Sequence, residues 1–297
     1  MRHLLFAALI CGVMATPSSA QQVPARDLLD FPIGSIAEPA AISSLLSSGV
    51  WNPAAVRLPT GEAVQIGILA LNSPIEQGVS AQLAVATMRL PGSTLLTASL
   101  LRATVTDLVR TQTDPQSVGS EIPYGTTLFS AGLSRRVGRL TAGFATRVRT
   151  GTADYIQRTS LSLDGGVLLD SAFHTPIRLA ASTFLLGASP TRERATLLGA
   201  VEVPVYHRGS ALEVRSGLAV SATEYRGNEK YLYAALRYLG LEARGGLART
   251  RAFGFDSDHL RLGLDLHYAR YVVGIAREDE GAGLGAVYQF MLTSAFP

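Results

Sequence analysis

The chain has 297 residues, 47% of them hydrophobic and only 16% charged, with a formal charge of +3 and a mean hydropathy of +0.23. Soluble domains average about 25% charged residues, yet beyond the first twenty residues no apolar run reaches the roughly 20 residues of a membrane helix. An ordinary soluble enzyme and a helical membrane protein are both disfavoured, and the cations, all arginine except Lys230, form no basic patch of the kind nucleic acid requires.

Residues 1–20 combine one cation (Arg2), an apolar run from Leu4 to Ala15 and a small-residue end at Thr16–Ala20. These are the three parts of a secretory signal peptide, with cleavage expected after Ala20. Cys11, the only cysteine, lies inside the apolar run and follows Ile10, which is too large for a lipoprotein signal. The exported chain is therefore expected to have no disulfide, no thiolate metal site and no cysteine nucleophile.

Residues 21–61 show no alternation. Ala37 to Leu46 is rich in Ala, Ile, Leu and Ser, which predicts a short helix after Glu38-Pro39, with Gly49 as its stop. Trp51-Asn52-Pro53-Ala54 comes next, and the residue before a proline is pushed out of the helical region. About forty residues ahead of the first strand are enough for a plug.

From residue 62 to 297 the period is two, the strand period. Leu260, Leu262, Leu264, Leu266 and Tyr268 fall on one face, and His259, Arg261, Gly263, Asp265 and His267 on the other. The pattern recurs at Arg139–Arg149 and Ala211–Ala222. The segments run ten to twelve residues, near the nine to eleven of a tilted membrane strand and longer than the five or six of a globular one. Their non-apolar faces are rich in glycine and small residues, as a crowded lumen requires, so apolar side chains are expected to face lipid. The predicted spans are 62–71, 79–89, 93–107, 125–136, 139–150, 158–169, 177–187, 194–204, 211–222, 229–239, 241–251, 258–267, 269–278 and 283–296. Weak breaks at Gly240 and Tyr268 leave twelve strands as the alternative to fourteen. The fold class is all-β: a transmembrane antiparallel barrel with a short helical plug. Glu202, Glu213, Arg215, Arg261, Asp265 and His267 are candidate lumen-lining residues, either selecting solutes or filling the lumen with ion pairs.

The last strand places Leu284, Ala286, Tyr288, Phe290, Leu292 and Phe296 on one face. A near-terminal aromatic with others at even spacing resembles the assembly strand of bacterial outer-membrane proteins. That resemblance implies a location in the bacterial outer membrane, with membrane lipid and the barrel-assembly machinery as partners. Trp51-Asn52-Pro53-Ala54 before a barrel resembles the N-terminal hatch of the long-chain fatty-acid transporter (FadL-like) family and of the related PorV/PorQ-like barrels. Leu163–Leu169, with Asp164-Gly165-Gly166, is similar to a segment that opens a mid-barrel strand in those families. The Met-Gly-containing stretch usual in the hatch is missing between Gly34 and Ser48. The resemblance implies a lumen blocked by residues 21–61, with Trp51 and Asn52 fixing the hatch. Hydrophobic ligands would then bind inside and leave through a gap in the wall. The PorV/PorQ-like version implies a role in secreting or attaching proteins, and a structural barrel is the third reading.

The signals of an enzyme are missing. No G-x-S-x-G elbow or phosphate-binding glycine loop occurs, and no serine lies two residues after His259 or His267, as a phospholipase on a barrel wall would suggest. None of the five histidines has helical zinc spacing, so neither metal nor cofactor is expected. Asp256, Asp258 and His259 read as a solvated loop tip.

Overall fold

Strict alternation from Val64 onward gives fourteen antiparallel strands, each paired with the next in sequence. The computed structural model describes residues 22–74, 77–110, 119–172, 175–188, 193–209, 211–225, 227–252, 254–280 and 285–297. The leader expected at 1–20 lies outside them, as do His174, Gly283 and Leu284. The strands are β1 (Val64–Asn72), β2 (Val79–Leu90), β3 (Thr94–Val105), β4 (Tyr124–Val137), β5 (Leu140–Ala153), β6 (Ile156–Ala172) and β7 (Ile177–Phe184). They continue as β8 (Thr196–Arg208), β9 (Leu212–Thr223), β10 (Gly227–Tyr238), β11 (Leu241–Ala252), β12 (Phe255–Tyr268), β13 (Tyr271–Glu280) and β14 (Ala286–Phe296). β1 also pairs with β14, Ile68 opposite Leu292, so the sheet closes into a barrel and leaves no free edge. The choice between twelve and fourteen falls to fourteen. Both weak breaks are true turns, with Leu239 and Ala269 in the left-handed region at φ 53° and 50°.

The two faces of the wall have opposite chemistry. On β12, Leu260, Leu262, Leu264 and Leu266 are exposed on the outside while Arg261 and Asp265 are each 4% exposed inside. Phe129, Phe144 and Phe290 also point outward. An apolar exterior around a partly charged interior is the inverted sense of a membrane barrel.

The two ends differ as well. One carries connections 91–93, 138–139, 173–176, 209–211, 239–240 and 269–270; the other carries 73–78, 106–123, 154–155, 185–195, 224–226, 253–254 and 281–285. Gly138 allows the two-residue turn at 138–139 because it takes φ +61° without steric cost.

Residues 23–61 add no strand and fill the lumen, with Ile33, Ile36, Ile42, Val50 and Ala54 fully buried. The helix expected at 37–46 is not there. Ile42 N and Ser43 N both donate to the Pro39 carbonyl, closing a single turn. The Glu38 carboxylate then accepts Ser43 Oγ at 2.8 Å and Ser44 N at 3.2 Å, so side chain and serines take the bonds that a helix would need. The segment instead forms a 3-10 turn at Asp27–Leu29 and one short helix, α1 (Ser48–Trp51). Gly49 lies within α1 and is not its stop. The stop is Asn52, extended at φ −133° and ψ 107° ahead of Pro53.

Candidate functional site

The inner segment is held by groups from around the whole wall. On β5, Arg149 grips Glu193 with Nε and Nη2 at 2.7 and 2.9 Å and donates to the carbonyls of Pro24 (2.8 Å) and Val23 (2.9 Å). Arg147, two residues earlier on the same face and fully buried, pairs with Asp164 on β6 and donates to the Val50 carbonyl in α1. Its guanidinium also lies 4.9 Å from the centre of the Phe184 ring. Across the barrel, the Gln289 side chain on β14 accepts Gly34 N at 2.7 Å.

Trp51-Asn52-Pro53-Ala54 is a docking element. Trp51 Nε1 donates to the Ile33 carbonyl at 2.9 Å and its ring packs at 4.6 Å on Phe184. Asn52 Nδ2 donates to the Ala41 carbonyl at 2.6 Å, and Asn52 Oδ1 accepts Ala54 N at 2.9 Å, a local turn that fixes the chain reversal. Gly143 and Gly166 form a cross-strand pair directly beneath. A methyl group on Gly166 would collide with the Asn52 side chain, and one on Gly143 with the Pro53 backbone. The two glycines let the segment approach the wall. The segments that carry the hatch resemblance, Trp51–Ala54 and Asp164–Gly166, therefore touch. Leu163–Leu169 lies in the middle of β6, however, and does not open a strand.

A ladder of alternating charge crosses the lumen from β7 to β12. Arg178 Nη1 donates to Glu202 at 2.5 Å, and Glu202 also accepts Arg215 Nη1 (3.1 Å) and the Tyr233 hydroxyl (2.5 Å). Arg215 Nη2 continues to Glu242 at 2.5 Å, which accepts Arg244 Nε at 2.9 Å, and Arg244 ends the run on Asp265. Glu38 of the inner segment reaches this ladder, 3.7 Å from Arg215. A second layer joins Arg261 to Glu229 (2.9 and 2.7 Å) and Glu278 (3.2 Å).

The ladder separates two spaces. Towards the short-turn end lies a polar vestibule of about 800 Å³, bordered by Arg57, Glu213, Arg237, Glu242, His267 and Arg270. Towards the long-loop end lies a cavity of about 140 Å³ between the inner segment and β8–β12. Its apolar side is Leu29, Phe31, Pro32 and Trp51 with Leu198; its polar side is Glu229, Tyr231, Thr250 and Arg261.

Of the residues singled out by sequence, Glu202, Arg215, Arg261 and Asp265 are buried in the charge layers. Glu213 is half-buried, 3.8 Å from Arg215, and His267 lies 3.9 Å from Glu242. Tyr288, Phe290 and Leu292 are exposed on the outer surface, and Phe296 is half-buried under the Arg270 guanidinium at 5.2 Å. Asp256, Asp258 and His259 are not a loop tip but the start of β12, with Asp258 gripped by Arg249 at 2.7 and 2.9 Å. No group of three or more metal-binding side chains occurs among the described residues. His259 does meet a serine, accepting or donating at 2.8 Å with Ser257, two residues before it, and Glu278 lies 3.5 Å from the other ring nitrogen. The order is that of a hydrolytic triad, but Ser257 is exposed at the mouth, His259 Nδ1 makes no hydrogen bond among the described residues and Glu278 is committed to Arg261. Arg147, Arg149, Arg178, Glu242, Arg244 and Tyr231 were not picked out beforehand. Strand parity puts all of them inside, but only the neighbours' register shows which charges meet.

No protein-family model matches the chain, and no curated protein sequence does. Solved structures do match in fold. The CymD monoaromatic hydrocarbon channel gives a TM-score of 0.62 at 9% identity, over 93% of this chain and 98% of its own. The Pseudomonas putida toluene transporter TodX gives 0.56 at 8% identity, over 93% and 96%. At this identity the likeness is one of fold: a closed barrel, almost all-β, of the architecture that those two proteins use. Neither of the two is an enzyme.

Proposed function

We propose that this chain is an outer-membrane barrel through which small hydrophobic molecules pass passively, in the manner of a FadL-like transporter, with residues 21–61 as its plug and the long loops outside the cell. One observation carries the reading: a cavity of about 140 Å³, walled by apolar groups of the plug, sits on the long-loop side of a charged layer. A cavity of about 150 Å³ suits one benzene ring. The likeness to a hydrocarbon channel and a toluene transporter supports a guest of that size. Straight passage would carry an apolar molecule through the Arg–Glu ladder, which is unfavourable, so the guest leaves sideways.

The seam between β6 and β7 is one of two places where the wall departs from regular pairing, the other being the shift at Pro204/Tyr206 between β8 and β9. Ladder pairing runs from Gly166 with Ser182 to Leu169 with Leu179, plus Ala172 with Ile177. It resumes in a bridge of Ser162 with Gly187, where Leu163 N donates to the Leu186 carbonyl and Ala188 N to the Leu161 carbonyl, each at 3.0 Å. In between, the Thr183 hydroxyl binds Gly165 N at 3.0 Å, and the Asp164 carboxylate accepts Leu185 N and Leu186 N at 3.1 and 2.9 Å. Leu185 adopts φ 57°. Asp164 thus ties this seam to Arg147, and through it to α1, so that moving the plug loosens the wall.

Trp51 is the only tryptophan and borders the cavity, which makes its fluorescence a site-specific probe. Titrating toluene into detergent-purified protein should change the Trp51 emission saturably, and vesicles holding the protein should take up toluene faster than empty ones. No change in emission and no uptake would sink the reading. Co-purification of an exported protein with an unresponsive barrel would favour the secretion role instead.

A further inference from the structure

The cavity's two sides differ chemically, and the difference specifies the guest more closely than the channel reading, on which this inference rests. Opposite the plug stands Tyr231, 1% exposed, stacked on Tyr233 at 5.8 Å with the Arg261 guanidinium 5.1 Å from its ring centre. The Tyr233 hydroxyl is bound to Glu202, but the Tyr231 hydroxyl has no hydrogen-bond partner among the described residues. Buried hydroxyls are nearly always paired, so an orphan on a residue that borders a cavity marks a place for a partner. The charges beside it are already matched, since Arg261 holds Glu229 through both terminal nitrogens and faces Glu278 through Nε. A charged guest would give up its water and find no free counter-charge. A pure hydrocarbon would leave Tyr231 unpaired.

We propose that the cavity selects neutral single-ring aromatics bearing one oxygen, the phenol class. The ring lies against Phe31, Pro32 and Trp51, and the oxygen accepts a hydrogen bond from Tyr231. The test is calorimetric titration of the detergent-purified full chain with phenol, toluene and benzoate, corrected for partition into empty micelles. Phenol should bind about three- to tenfold more tightly than toluene, the span of one net hydrogen bond, and benzoate should not bind. In Tyr231→Phe the phenol-to-toluene ratio should fall to near one, with folded migration retained on an unboiled gel. The wild-type ratio is decisive alone if that variant does not fold. Equal binding of toluene and phenol, tighter binding of benzoate, or an unchanged ratio in the variant would overturn the phenol preference and leave the channel standing. Failure of every aromatic to bind, the cavity holding water only, would overturn both.

Discussion

The lumen is lined by two unlike half-walls. On β1 to β4 the inward residues include Leu69, Leu71, Val79, Leu83, Val85, Leu101 and Leu128, packed in one cluster with Leu28, Leu29, Ile33, Ile36 and Leu46 of the inner segment. The buried polar ones there are uncharged threonines and serines such as Thr87 and Ser130. From β5 to β13 the inward residues are mainly arginines, carboxylates and small side chains, and both large spaces of the lumen border this half. Apolar packing is non-directional and leaves few voids. Ion pairs are directional, and their geometry keeps rigid walls apart. The apolar half therefore seats the inner segment, while the charged half sets its register and leaves open space beside it.

The largest effect should come from breaking the charged half at its tightest point. Asp164→Ala strips Arg147 of its partner in a place where both side chains are fully buried, and frees two backbone N–H groups at the seam. An uncompensated buried charge costs about 3–5 kcal/mol, so the variant should unfold at markedly lower denaturant or fail to fold. Retention of wild-type stability would mean that the charged half is not a structural unit.

The apolar half should be somewhat more forgiving, and its two faces distinguishable. Leu101, fully buried in the lumen, should lose about 2–5 kcal/mol as Leu101→Ala. Its neighbour Leu100 is 50% exposed on the outer face. Lipid tails are as apolar as leucine, so Leu100→Ala should cost under about 1 kcal/mol. Equal losses at the two positions would contradict the assignment of inside and outside.

The barrel was legible in the sequence because a closed wall repeats one rule, and Leu260–Leu266 or Tyr288–Leu292 each state it. Boundaries fell within a few residues because glycine and proline punctuate the turns. The inner segment was legible only in part. Asn52 announced a chain reversal through Pro53, but Ala37–Leu46 has a helix-like composition and no helix. Burial under the barrel wall and Glu38 capping Ser43 and Ser44 override local propensity there, and neither is visible locally. The charge ladder was half legible: parity put Glu202, Arg215 and Asp265 inside, whereas their joining by Glu242 and Arg244 depends on register between strands distant in sequence. The cavity was not legible, since it is a residue of imperfect packing between plug and wall.

Replacing the buried pair as a whole is the most informative about the two halves. Arg147→Met with Asp164→Asn removes both buried charges, keeps a side chain of similar reach at 147, and leaves an amide oxygen to accept one of the Leu185 and Leu186 N–H groups. Replacing a buried pair as a whole is often close to neutral, so the double variant should recover most of what Asp164→Ala loses and unfold within about 1–2 kcal/mol of the wild type. It still lacks the donor to the Val50 carbonyl, so α1 should be held less firmly. Trp51 emission should then shift towards that of a more solvated indole, and protease should cut residues 21–61 faster while sparing the wall. A stable barrel with a loosened plug would assign the charged half to positioning and the apolar half to cohesion. A double variant as unstable as Asp164→Ala would show instead that the Arg147–Asp164 pair holds the wall itself together, independently of what the lumen contains.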